Sequence, residues 1–111
     1  MDKGAINLNR KKVDIVIRDI HESLKNNGLK DHHIALFGSF YKGNIHEDSD
    51  IDMIIISKSF EGKTLFDRID LIQKAKREVV KKHIVPIDIL LKTPEEYEYL
   101  KRNFVDSEIV I

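Results

Sequence analysis

The apolar positions of this chain fall into alternating helical and strand-like patterns. Val13, Val16, Ile17, Ile20 and Leu24 recur every three or four residues. Lys11, Lys12, Arg18, Glu22 and Lys25 take the positions between them, which predicts an amphipathic helix. Asn26-Asn27-Gly28 predicts its end, because these residues accept a left-handed closing turn. Ile34 to Phe37 is a short apolar run that stops at Gly38 and reads as a buried strand, and a short helical turn is expected after Gly38. A polar loop over residues 44–49 leads to a second apolar run, Ile51 to Ile56, interrupted by Asp52. A loop over 57–63 follows.

Leu65, Ile69, Ile72, Ala75 or Lys76, and Val79 predict a second helix, capped by Thr64. Ile84 to Leu91 is a third apolar run with Asp88 inside it. Pro86 predicts either that the paired part begins there or that this strand lies at an edge. Thr93-Pro94-Glu95-Glu96 predicts a helix start with a cap, Pro in the first turn and acids at the positive dipole end. That helix holds Tyr97, Leu100 and Phe104. Ile109-Val110-Ile111 reads as an extra strand or a partner-binding end, and Met1 to Asn9 as a frayed lead-in. The order predicts an α/β (α+β) domain, with a small mixed sheet flanked by helices.

The chain has 111 residues, consistent with a single domain over 1–111 and a core over about 11–104. A chain this short builds a small core, and an apolar face left for a partner in a homo- or hetero-oligomer is in keeping with that. Lys and Arg number 19 and so do Asp and Glu, which speaks against a general DNA-coating protein. No cysteine is present, so disulfides, thiolate zinc sites and cysteine nucleophiles are excluded. No stretch approaches the ~18 apolar residues of a membrane span. The N-terminus lacks the apolar segment of a secretory signal, so a cytoplasmic location is expected.

The informative chemistry begins at Asp50-Ile51-Asp52. On a strand, residues two apart share a face, so both acids project together, ~6.6 Å apart along the chain. Asp88 is a third acid in an apolar strand. Two unit charges ~7 Å apart repel by about 2.4 kcal/mol at an effective dielectric of 20. Divalent cations turn that repulsion into attraction, and an all-oxygen donor set suits Mg²⁺. Read alone, the same aspartates also fit solvent-edge or turn positions, and Glu47 and Asp48 extend an acidic loop.

The preceding loop adds a second element. Gly38-Ser39 stands where a strand gives way to a turn, and backbone N–H groups there can hold phosphate oxygens. Gly38 admits a close ligand, Ser39 offers a hydroxyl, and Lys42 supplies a cation before Gly43. In isolation this is also an ordinary turn. The combination of a phosphate cradle, paired carboxylates and a later third acid is the set used for metal-assisted nucleotidyl transfer.

Gly38-Ser39, ten intervening residues and Asp50-Ile51-Asp52 resemble the signature of the DNA polymerase β-like nucleotidyltransferase superfamily. Gly43 and Ser49 sit where its small members have them, and Asp88 matches the third acid. The resemblance extends over about Val13 to Tyr97 and is nearest to the minimal nucleotidyltransferases, including the MNT antitoxins paired with HEPN-domain toxins. It implies a polymerase β palm-like fold. It also implies that Asp50 and Asp52 ligate two Mg²⁺ ions, that Asp88 ligates the catalytic one and serves or positions the general base, and that Gly38, Ser39, Lys42 and Ser49 hold ATP. One departure stands out: many minimal members carry Arg where this chain has Lys42, and lysine keeps the charge without the bidentate fork. The implied reaction is AMP transfer to a hydroxyl, with a HEPN-type toxin encoded nearby as acceptor and partner. Two other readings stay open: a small-molecule (aminoglycoside-like) nucleotidyltransferase completed by a separate helical subunit, and a toxin-binding module without catalysis.

The remaining polar and aromatic residues read as structural. His21, His32, His33, His46 and His83 lack zinc-type spacing. Lys74, Lys76, Arg77, Lys81 and Lys82 fit a solvated helix face, or else a dock for an acidic partner or RNA. Tyr97, Tyr99 and Phe104 fit packing roles.

Overall fold

The computed structural model describes residues 9–38 and 50–111. Helix α1 (Arg10–Asn26) begins on Asn9, whose side chain accepts the Lys12 N–H at 2.9 Å. It closes at Gly28, with φ of +97°. There the Gly28 N–H donates to Lys25 O and the Leu29 N–H to Leu24 O, while Leu24 and Leu29 are both buried beneath the turn.

The strands β1 (His33–Phe37), β2 (Ile51–Ile56), β3 (Ile87–Lys92) and β4 (Ser107–Ile109) form one sheet in the order β3-β2-β1-β4. β1 runs antiparallel to both β2 and β4, and β2 pairs with β3 in parallel. That parallel pair needs a crossover, which helix α2 (Leu65–His83) supplies. A 3-10 turn, Lys58–Phe60, precedes it. Helix α3 (Pro94–Asn103) follows β3 directly. Both α2 and α3 start on capping boxes, Thr64 with Asp67 and Thr93 with Glu96.

The main core lies between one sheet face and α1 and α2. Val13, Val16, Ile20, Ile72, Ala75 and Val79 pack there on Ile34, Leu36, Ile51, Met53 and Ile55. Burial of these side chains is the main source of stability, at ~25 cal/mol per Å² of apolar surface. A smaller cluster on the opposite face joins Ala35, Ile54, Ile56 and Tyr97, with Phe37, Leu90 and Leu100 beside them. Among the described residues, no helix is long and apolar enough to cross a membrane.

The strand and helix expectations hold in kind, and the mixed sheet flanked by helices is as expected. Both readings of Pro86 are realised: β3 starts at Ile87 and is an edge strand of the sheet. An extra strand does form near the C-terminus, but over Ser107–Ile109 and not over Ile109 to Ile111. Some side chains depart from the pattern. On α2, Ile72, Ala75 and Val79 are buried, but Leu65 and Ile69 lie at the flank of that stripe and are exposed. Arg68, one turn before Ile72 on the same stripe, binds Glu96 and Leu91 O. Tyr97 packs as expected, whereas Tyr99 and Phe104 are mostly exposed and meet each other at a tilt of 54°, 5.8 Å between ring centres. The lead-in over 1–8 and the turn expected after Gly38 lie outside the described residues.

Candidate active site

Strand register brings the acids together. Asp52 on β2 pairs with Asp88 on β3 and with Phe37 on β1, and Phe37 pairs with Ser107 on β4. Paired residues share a sheet face, so Asp88, Asp52, Phe37 and Ser107 form one row across the sheet. The next row on that face is Leu90, Ile54, Ala35 and Ile109, and its first three residues belong to the smaller cluster under α3. The helix therefore covers the far end of the face, while the aspartates stand at the start of β2 and β3.

Asp52 is half-buried, and Asp50 and Asp88 are exposed. Burial, then the charge of Asp88, then that of Asp50, push the Asp52 carboxyl above its usual range. Adjacent strands are ~4.8 Å apart. Two ionised carboxylates at about 5 Å repel by roughly 3 kcal/mol at an effective dielectric of 20, an appreciable cost for one small domain.

Gly38 ends β1 with φ of +71°. A β-carbon there would stand 3.1 Å from the Asp52 carboxyl carbon and would collide with Oδ2. Only glycine leaves this space and accepts this backbone readily, so the Gly38 position serves the aspartate as well as any ligand.

Among the described residues, no three His, Cys, Asp or Glu side chains stand close enough to cage an ion. The donors that are present are nevertheless of the right kind. Asp52 and Asp88 offer adjacent hard oxygens, Asp50 lies two residues away, and a cation would relieve the repulsion that raises the Asp52 carboxyl. Ser39, Lys42, Gly43 and Ser49, singled out in the sequence, lie outside the described residues, as does His46.

Sequence reasoning missed two neighbours of the acids. Phe37 is the residue before Gly38 and sits beside Asp52. Ser107 follows from the pairing of β4, and its Oγ shares a buried 2.8 Å hydrogen bond with the Tyr97 hydroxyl. The first had a local signal, its place at the strand end; the second had none.

A nucleotidyltransferase domain model matches residues 17–111. A candidate nucleotidyltransferase from Sulfolobus solfataricus superposes with a TM-score of 0.64 at 19% identity, over 92% of this chain and 87% of that one. A second candidate nucleotidyltransferase gives a TM-score of 0.57 at 25% identity, over 86% of this chain and 97% of that one. A toxin–antitoxin complex solved with AMP-PNP gives 0.45 at 26% identity, over 76% of this chain and 57% of that one. Among curated protein sequences, no match is found.

Proposed function

The chain belongs to the nucleotidyltransferase domain family, and on that premise we propose that it is a Mg²⁺-dependent adenylyltransferase that moves AMP from ATP to a hydroxyl of a partner protein. The observation that supports this reading is the direct pairing of Asp52 with Asp88 beside Gly38. Asp50, Asp52 and Asp88 would hold Mg²⁺, two ions being usual for this chemistry. When bound, such ions stabilise the attacking and leaving oxygens of an in-line displacement.

The chain's own groups divide the remaining work. Backbone N–H groups at Gly38 and Ser39, with Lys42 and Ser49, bind the triphosphate. Asp88 accepts the proton of the acceptor hydroxyl. The hydroxyl oxygen forms a new ester bond to the α-phosphorus, the bond from that phosphorus to the bridging oxygen breaks, and pyrophosphate leaves. The partner of this reading is a HEPN-type toxin, which completes a cleft that this small domain only begins to build, and the site of action is the cytoplasm.

The test is incubation with α-labelled ATP, Mg²⁺ and the protein encoded beside this one. Label is expected on that protein, dependent on Mg²⁺ and lost in Asp52→Ala and Asp88→Ala. Label retained in both variants would overturn the catalytic assignment. Neutralisation of the partner without label by wild type and variants alike would replace it with simple binding, and label on a small aminoglycoside-like acceptor alone would replace the protein acceptor.

A further inference from the structure

The neutral sum of charges hides a segregation. α1 and α2 lie antiparallel: Lys12 near the start of α1 contacts His83 at the end of α2, and Ser23 donates to Glu78. Their outward surfaces thus form one face, on the side of the sheet away from the acidic row. On α1 that surface carries Lys11, Arg18 and Lys25, each seven residues from the next. On α2 it carries Lys74, Arg77 and Lys81.

All six are exposed, and among the described residues none takes an ion pair. The acids between the helices are already engaged: Asp19 with His83 and Lys82, Glu78 with Ser23 and Asn27. Asp14, paired with Arg10, and Glu22 are the acids that stand among the cations of α1, and Asp70 lies one turn before Lys74. At 1.5 Å per residue the α1 row extends about 21 Å and the Lys74–Lys81 row about 10.5 Å.

We propose that this two-helix face binds the phosphate backbone of duplex RNA. Charge complementarity selects a polyanion. The composition then selects among polyanions. Ile15 is the large apolar residue exposed among the cations of α1, and on α2 the exposed Phe66 stands eight residues before Lys74, about 12 Å further along the helix, so the cation rows themselves lack the aromatic and apolar centre of a protein interface and the inserting residues of a membrane-bound helix. The rows between Lys11 and Lys25 and between Lys74 and Lys81 hold no aromatic platform on which single-stranded bases stack. Two helices side by side are flat and offer no element that enters a B-form major groove, whereas A-form RNA is recognised by shape, through 2′-hydroxyl and phosphate contacts across a wide, shallow minor groove that a flat surface can meet. This proposal is independent of the nucleotidyl-transfer site, which lies on the opposite sheet face.

The test is fluorescence anisotropy with a labelled RNA duplex of ~20 base pairs, at about 50 and 200 mM salt. Affinity is expected to fall by about 10³ across that range if six phosphate contacts form. The K74E/R77E/K81E variant is expected to weaken binding at least about tenfold and reduce the log–log salt slope by about 3. K30E/K58E/K101E, with cations reversed elsewhere, is expected to bind like wild type. If circular dichroism shows that the first variant is unfolded, K74Q/R77Q/K81Q takes its place, with the same expectation of direction. Absence of RNA binding at the lower salt, or undiminished binding by the folded variant, would overturn the proposal. Equal or tighter binding of duplex DNA, polyglutamate or anionic vesicles would also overturn it.

Discussion

The Asp52 carboxylate occupies the space that a side chain on Gly38 would need. Gly38 also sits at φ of +71°, where L-residues are strained by about 1–2 kcal/mol. Gly38→Ala therefore combines backbone strain with displacement of the carboxylate that we propose holds the metal. The expected outcome is a loss of about 1–3 kcal/mol in urea unfolding. Transferase activity is expected to fall further than the unfolded fraction explains, measured on protein that circular dichroism shows to be folded.

Asp52 and Asp88 repel across adjacent strands, so one of them is a burden on the unliganded fold. Asp52→Asn removes that repulsion and keeps the shape. It is expected to unfold at a higher temperature than wild type in EDTA, by about 1–2 kcal/mol, and to have no transferase activity. Mg²⁺ is expected to raise the melting temperature of wild type and leave that of the variant unchanged, as ligand linkage requires. A variant less stable than wild type in EDTA would show that Asp52 is held by favourable contacts instead.

Ile84 closes α2 with φ of 51° and ψ of 52°, a left-handed conformation rare for a β-branched residue. Its side chain is 74% exposed, so little burial compensates. Its N–H still donates to Val80 O at 2.7 Å, a bond any residue other than proline can make. Ile84→Gly relieves the strain at some cost in unfolded-state entropy. The net expectation is a gain of about 0.5–1 kcal/mol, seen as a higher urea midpoint with an unchanged slope. Ile84→Asn is expected to gain in the same direction.

Arg68 joins α2 to α3 through a forked pair with Glu96, at 2.6 and 3.2 Å, and also donates to Leu91 O. Glu96 in turn caps α3 by accepting the Thr93 N–H. The Arg68 guanidinium foremost, with the Thr93 N–H assisting, draws the Glu96 carboxyl from 4.5 down to about 2 despite partial burial. A depressed carboxyl stabilises the fold above pH 4.5, and that contribution fades as pH falls toward 2. Solvent screening at this partly exposed pair limits it to about 1 kcal/mol. Glu96→Gln is expected to lower stability at pH 7 and flatten the acid limb of the stability curve between pH 4.5 and 2. Equal slopes in the two proteins would sink this assignment.

Much of this site was legible because it rests on local signals. The Ile51–Ile56 run fixes the parity of Asp52 against Met53 and Ile55, and the chain order puts Asp88 on the strand after a helical crossover. The meeting of Asp52 with Asp88 needs one further fact, the parallel register, which no residue announces. Ser107 lay beyond reach for the same reason, since its place in the row depends on β4 pairing with β1. Leu65 and Ile69 fit the helical period yet sit outside the core, because periodicity gives a stripe and not its width. His21 and His32, eleven residues apart, meet at 2.9 Å, with His32 held by Leu29 O. Their contact follows from the way the α1 turn folds back and was invisible to ligand spacing.

The Tyr97 hydroxyl and Ser107 Oγ form a buried pair that ties α3 to β4 at the end of the acidic row. Neither group has open water beside it, since Tyr97 is 2% and Ser107 8% exposed. Removing one partner strands the other, at a cost of about 1–3 kcal/mol. Tyr97→Phe and Ser107→Ala are each expected to destabilise by that order. The double variant leaves no orphaned polar group, so it is expected to be no worse than the poorer single variant. A double-mutant cycle from urea unfolding should therefore return a coupling of about 1 kcal/mol or more. If the two losses simply add, the hydrogen bond contributes nothing and packing of the ring alone holds β4 in place.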